Sequence, residues 1–281
     1  MAHSMNKISI FIGRALLAPV SRIPLSRLYG RLTRLRRPRF LARAMVRRFR
    51  KHYGIAMDEF QGTAADYRSL SDFFLRPLDR SKRPLAKDPA SLLSPADGLL
   101  SGLELVQGDA ATQVKGWTYS LGRLLAIPVA AADRWHVATI YLSPRDYHRF
   151  HYPVAARISG SFHGGCRLFP VNEFSVKRVK DLYLRNERVV TRFELPGGPL
   201  YLAAVGATFV GSIAMAHLPR GSARSGRWQD LDLAAEQMAE MGWFAMGSTI
   251  ILAVPARLVA AVLAKKGEQL RVGQPLFKIK S

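Results

Sequence analysis

The sequence predicts an α+β fold in which N-terminal basic amphipathic helices lead into a mainly antiparallel β core, sandwich- or barrel-hybrid-like, with few helices. Three observations predict it. Residues 1–57 scatter Leu, Ile, Phe and Met among arginines at helix-like spacing. From about residue 99 the pattern becomes short apolar runs separated by Gly, Pro and polar turns, as short strands require. With 281 residues and 48% hydrophobic content, the chain can bury a sizeable core.

The helical segment comes first. ISIFIGRALL, SRLYGRLTRLRR and FLARAMVRRFRKHYG are divided by Pro24 and Pro38, which end helices. Residues 1–57 hold 14 of the 42 Lys and Arg and no acid, the first carboxylate being Asp58. The rest of the chain therefore carries 28 basic against 20 acidic side chains, and most of the formal +22 belongs to its first fifth. Apolar faces with arginines suit an anionic membrane surface; a helical cap with a solvated basic face is the plainer reading. No aromatic stacking platform or nucleic-acid motif accompanies the charge. The apolar stretch Ile8 to Val20 is broken by Arg14, lacks a cleavage signal and is too short for a simple span.

The next stretch, RPLDRSKRPLAKDPASLLSPADG (76–98), reads as a loop ending in a turn at Pro95–Gly98. Strands follow in RWHVATIYLS, RVVTRFEL, YLAAVGA, FVGSIAMA, STIILAV and QPLFKIK. Leu195 to Pro219 has no Asp, Glu, Lys or Arg, yet its glycines and β-branched residues mark buried strands rather than a membrane helix. One helix is expected in DLAAEQMAEM (232–241). The ending AKKGEQLRVGQPLFKIK resembles the turn-and-strand close of lipoyl-type β hybrids. The lone Cys166 excludes an intramolecular disulfide and reads as a small buried hydrophobe.

Three stretches combine polar groups with tight geometry: SPADG with Asp97, LSPRDYHRFHYP with His148 and His151, and MGST with Gly247 and Ser248. Each alone is weak. An Asp before Gly is commonly a turn residue, and a Gly-Ser in a strand is commonly a bulge. Two histidines three apart lack a Cys cluster or HExxH context, so no metal site is expected. His3, His52, His136, His163 and His217 take surface or packing roles. Together, Asp97, His151 and Ser248 could serve as orienter, base and nucleophile. No GxSxG elbow accompanies them.

In combination the segments resemble the pyruvoyl-dependent, membrane-associated phosphatidylserine decarboxylases. SLSDFFLRPLDRSKRP (69–84), SPADG (94–98), LSPRDYHRFHYP (142–153), RLFPVN (167–172), NERV (186–189), GATFVGSI (206–213), MGST (246–249) and the GQPL ending occur in family order. Met246 stands where the family commonly has Leu, a swap that conserves volume.

The resemblance implies a proenzyme that cuts itself between Gly247 and Ser248. The products would be a β chain (1–247) and an α chain (248–281) that stay associated, with Ser248 converted into a covalent pyruvoyl cofactor. It implies His151 as the base, Asp97 as its orienter, and His148 as candidate proton donor in decarboxylation. The substrate amine would form a Schiff base with the pyruvoyl carbonyl, an electron sink for the loss of CO2, and the product would be phosphatidylethanolamine. Residues 1–57 would associate with an anionic phospholipid membrane and residues 58–281 form the catalytic domain. The protein would be peripheral, at the cytoplasmic face of the cell membrane, without nucleic acid as partner and with homo-oligomerisation left open. A serine hydrolase using Asp97, His151 and Ser248, and a non-catalytic basic nucleic-acid-binding β-protein, are the alternatives.

Overall fold

A computed structural model describes residues 32–84, 87–114, 116–207, 213–218, 226–245 and 247–280. In chain order its elements are α1 (Arg39–Tyr53), α2 (Leu70–Phe74), β1 (Ser91–Leu93), β2 (Gly98–Gln107), β3 (Ala110–Val114), β4 (Trp117–Ser120), α3 (Leu121–Leu125), β5 (Arg134–Leu142), β6 (Arg149–His151) and β7 (Ala156–Gly164). Then come α4 (Glu173–Val176), α5 (Leu182–Arg185), β8 (Arg188–Leu195), β9 (Gly198–Gly206), β10 (Ile213–Met215), β11 (Trp228–Ala235), β12 (Glu240–Phe244), β13 (Ser248–Pro255), β14 (Val259–Val262), β15 (Gln269–Leu270) and β16 (Pro275–Ile279). The expected α+β class with an antiparallel β core is what forms.

An eight-stranded sheet in the order β11-β7-β8-β9-β13-β5-β2-β15 is the frame, and every pairing in it is antiparallel. Strand β13 lies inside it, with every residue buried. Ile250, Leu252 and Val254 enter one core while Ile251 and Ala253 enter the core on the other face. Burial on both faces explains why STIILAV reads as a continuous apolar run. Each buried Ile, Leu or Val among them contributes about 1.5–3 kcal/mol.

Two three-stranded sheets, β1-β16-β14 and β10-β12-β6, supply Leu92, Leu276, Phe277, Phe150, Met241 and Phe244 to the first core. The hairpin β3-β4 and helices α3 and α5 supply Tyr119, Leu121, Leu124, Leu182 and Tyr183 to the second. At the N-terminal side, α1 ends at Gly54 in a left-handed cap (φ 60°) that donates to Arg50 and Lys51 carbonyls. Phe49 of α1 packs edge-on to Phe73 and Phe74 of α2.

Pro38 stands as the N-cap of α1, where a helix tolerates proline. The other helices expected before residue 32, and Pro24, lie outside the described residues. No described helix is long and apolar enough to cross a membrane.

Some expectations are corrected. DLAAEQMAEM is not a helix: residues 232–235 end strand β11, Met238 turns with φ 64°, and Glu240 opens β12. Pairing of β11 with β7, anchored by Trp228 against Phe162 and Tyr201, overrides the local helix preference of Ala, Glu and Met. The stretch 76–98 is more than a loop, since β1 forms inside it and pairs with β16. No bulge sits at Ser248, whose register with both neighbours is continuous. Cys166 is exposed rather than buried.

Candidate active site

Antiparallel pairing puts the start of β13, the end of β5 and the start of β2 at one end of the large sheet. Ser248 lies opposite Leu142 of β5 and Gly206 of β9. Beyond Leu142 the chain loops through 143–148 into β6, which carries His151. Strand β12 pairs with β6, opposing Glu240 to His151, and runs on towards Gly247 and Ser248. The amide of Phe244 donates to the His148 carbonyl at 3.0 Å. On the other side of β5, Asp97 immediately precedes β2. The amide of His151 donates to the Pro95 carbonyl at 2.8 Å, tying the SPADG turn to β6. All four sequence-predicted residues therefore converge on one sheet end.

Two glycines shape this end. A Cβ on Gly98 would sit 2.6 Å from the Tyr141 carbonyl oxygen and 2.9 Å from Ile140 Cγ2, so the SPADG glycine lets β2 lie against β5. Gly247 has φ 39°, in the region that L side chains avoid, and a Cβ there would meet nothing within 4 Å. The bond before Ser248 thus joins a left-handed residue in open space to a fully paired strand.

His151 is buried. Its Nδ1 lies 3.0 Å from the Met238 carbonyl, which can only accept, so Nδ1 carries the hydrogen. Burial pulls its pKa down to about 4, outweighing the Met238 bond and the nearby Glu240 and Asp97 charges. The neutral ring therefore presents Nε2 as an acceptor, and the Tyr147 hydroxyl donates to it at 3.1 Å.

His148 is fully buried beneath Phe74, with ring centroids 3.9 Å apart. Its Nδ1–H donates to the Asp146 carbonyl at 2.9 Å, leaving Nε2 buried without a protein partner. Burial, with the Arg76 charge adding to it, holds the pKa near 3. Its free Nε2 is a bare lone pair.

Asp97 accepts from both Nη atoms of Arg83, at 2.8 and 2.5 Å, and from the Val272 amide at 2.8 Å. Its carboxylate thus closes a link between the 76–98 segment and the C-terminal strands. Asp97 and His151 share no hydrogen bond; the Asp97 charge only favours a proton on the ring, and the Met238 carbonyl sets the neutral His151 tautomer. Ser248 Oγ is fully buried with no partner, as is Thr249 Oγ1. A buried hydroxyl without a partner is energetically costly unless something else uses it.

Three supporting residues escaped sequence reasoning. Tyr147 caps His151. Arg83 holds Asp97. Arg76, fully buried with its guanidinium 4.3 Å from the Phe60 ring centre, donates to Arg145 and Asp146 carbonyls at 2.6 and 3.1 Å. The Asp146 carbonyl is the one that orients His148. The only signal was that Tyr147 shares the LSPRDYHRFHYP stretch and both arginines the SLSDFFLRPLDRSKRP stretch.

Among the described residues no group of three or more His, Cys, Asp or Glu could hold a metal. Next to the site, a cavity of about 380 Å³ is lined by Glu59, Asp97, Arg145, Asp146, Tyr147 and Arg271 among others.

A model of the phosphatidylserine decarboxylase family matches residues 70–278. The phosphatidylserine decarboxylase proenzyme of Brevibacillus brevis is 36% identical over 270 residues, covering 92% of this chain and 95% of that protein. The proenzyme of the same name from an Anaeromyxobacter species is 37% identical over 278 residues, covering 95% and 97%. That of Acidovorax ebreus is 40% identical over 225 residues, covering 76% and 79%.

Proposed function

The chain belongs to the phosphatidylserine decarboxylase family, and we propose that it performs the family reaction with a pyruvoyl group made from its own Ser248. It is an enzyme that decarboxylates phosphatidylserine. The observation that carries the maturation reading is the unpartnered, fully buried Ser248 Oγ directly after a glycine in left-handed backbone. These features fit a group built at residue 248: the hydroxyl is uncommitted, and the space at Gly247 leaves room for a carbon that becomes tetrahedral.

Ser248 Oγ would add to the Gly247 carbonyl carbon as its proton passes to His151 Nε2. Tyr147 must first turn its hydroxyl aside, since it now occupies that lone pair. The residue 248 nitrogen then leaves the carbonyl carbon and takes up a proton, exchanging amide for ester. Loss of the 248 Cα proton expels the Gly247 carboxylate and cuts the chain. Hydrolysis of the resulting dehydroalanine consumes water and releases ammonia. Asp97 lies close enough to favour the imidazolium that forms on His151, which burial opposes. When formed, the pyruvoyl group supplies a carbonyl that takes the substrate amine and accepts the electrons freed by loss of CO2.

His148 enters that reaction neutral, because its pKa is held near 3. Its Nε2 therefore accepts a proton before donating one. We assign it the proton of the substrate ammonium, which it later returns to the substrate Cα. The adjoining cavity has Arg145 and Arg271 together with Asp97 and Asp146. Both charge signs suit a serine phosphodiester, which itself carries both.

Residues 58–281 would be the catalytic domain. The two chains would stay associated, because residues 248–281 provide β13, β14, β15 and β16. The arginine-rich residues 1–57 would hold the enzyme on an anionic bilayer from the cytoplasmic face without spanning it.

Intact mass and a denaturing gel test the reading. Wild-type protein should separate into chains 1–247 and 248–281, the latter beginning in a blocked pyruvoyl residue, while Ser248→Ala stays whole and inactive. Decarboxylation by an uncut wild-type chain would sink it.

A further inference from the structure

A cavity of about 430 Å³ opens where the start of α1 faces the 65–68 segment, and none of the residues gathered around Ser248 lines it. Arg36, Arg37, Arg39, Arg43 and Arg68 line it with a single carboxylate, Asp66. That carboxylate accepts from the Thr63 amide and hydroxyl at 2.7 and 2.9 Å and is felt by Arg43 at longer range, so a single negative charge faces five arginines. Arg36 has an exposed pairing with Asp72 at 3.5 Å, of the kind worth little. Among the described residues, no carboxylate lies within ion-pair distance of Arg37, Arg39, Arg43 or Arg68. Gathering guanidinium groups around a hollow costs repulsion, and an anion seated among them relieves it. The volume falls in the range of small-molecule sites. Arginine forks match phosphate oxygens in geometry as well as charge.

The source of the anion is indicated by the neighbours. Phe40 is 73% exposed, Leu32 54% and Leu41 41%, and two of the three sit between Arg39 and Arg43 in the chain. Exposed apolar side chains beside a basic pocket fit a bilayer surface, where they enter the headgroup layer while the arginines meet phosphate. From this juxtaposition we propose that the pocket is a receptor for the phosphate of an anionic glycerophospholipid held in a bilayer. It is an anchoring site separate from the site of decarboxylation. The proposal deepens the membrane association described above and rests on it.

The test uses the full-length protein and vesicles of phosphatidylcholine with or without phosphatidylglycerol. No phosphatidylserine is present, so binding is read whether or not the proposed maturation occurs. Arg39→Gln, Arg43→Gln and Arg68→Gln together should weaken binding to the anionic vesicles on the order of a thousandfold, from about tenfold for each charge-assisted bond to phosphate lost. A control set, Arg34→Gln, Arg47→Gln and Arg48→Gln, removes equal charge from the same segment outside the pocket and should cost much less. Equal losses from the two sets would overturn the pocket in favour of diffuse attraction. Unchanged turnover of detergent-dispersed phosphatidylserine, together with an unchanged circular dichroism spectrum, shows that the pocket variant is folded. If the pocket variant loses fold or dispersed-substrate turnover, the single changes Arg39→Gln and Arg68→Gln are compared with Arg47→Gln in the same vesicle assay. Phe40→Ser should weaken vesicle binding yet leave the affinity for soluble glycerol 3-phosphate unaltered. Vesicle binding indifferent to Phe40→Ser would make the pocket a site for soluble phosphate and refute the lipid assignment.

Discussion

Acidification from pH 7.5 to 5.0 should strip this protein of a large share of its stability, through His148 and His151. Their folded pKa values, near 3 and 4, lie below the ordinary 6.5 because burial disfavours the charged ring. Between pH 6.5 and 4 the unfolded chain therefore binds protons that the folded chain refuses. Stability from these rings is nearly complete above pH 6.5 and is lost as pH falls towards 4. At pH 5 the folded rings are both still neutral, so the loss is set by the unfolded pKa and amounts to about 2 kcal/mol each, about 4 in all. Domains of this kind hold about 5–15 kcal/mol in total. His217, also lowered to about 4 by burial but partly exposed, adds less in the same direction. The Asp146 carboxyl, raised by burial, works the opposite way and trims the slope. The assay is urea unfolding followed by tryptophan fluorescence, in the Ser248→Ala chain so that a single polypeptide unfolds. His151→Gln added to that background should remove about 2 kcal/mol of the pH dependence. A difference below about 1 kcal/mol between pH 7.5 and 5.0 would refute the claim that these rings are held neutral.

Two further substitutions probe the supports of the site. Arg76→Met loses charged donation to two carbonyls, each worth about 1.5–3 kcal/mol, and recovers part through relief of a buried charge. A net destabilisation of about 2 kcal/mol in urea should come with a kcat that falls more than KM changes, since the Asp146 carbonyl that orients His148 is loosened. Equal kcat and KM to wild type would show that Arg76 only packs. Gly98→Ala drives a Cβ into the Tyr141 carbonyl and should cost about 3 kcal/mol by denaturant titration, with misplacement of Asp97 slowing the proposed cut at Ser248. An unfolding midpoint equal to wild type would mean that β2 and β5 separate without strain.

Strands whose residues carry their own pattern were legible in the sequence. RVVTRFEL coincides with β8 from end to end, and the run STIILAV lies wholly within β13. The strand β11 was not, because Ala, Glu and Met favour helix locally while pairing with β7 decides the outcome. Likewise β1 is only Ser91–Leu93 and exists because β16, far along the chain, hydrogen-bonds to it. Of the candidate site, Asp97, His148, His151 and Ser248 stand out in the sequence through short motifs. Their supports did not. Arg76 reaches carbonyls 69 and 70 residues away, so nothing near it in sequence reports its role. The Met238 carbonyl that fixes His151 is backbone, which any residue would supply.

If the chain is cut at Ser248 as proposed, the placement of β13 between β5 and β9 bears on how the enzyme would keep the group so formed. Residues 248–281 enter the large sheet through β13 and β15 and one of the small sheets through β14 and β16. A piece woven into both could leave only by unravelling both. The reactive end would thus be tethered without any surviving covalent link to the larger chain, in strict one-to-one ratio, because both pieces come from a single translation product.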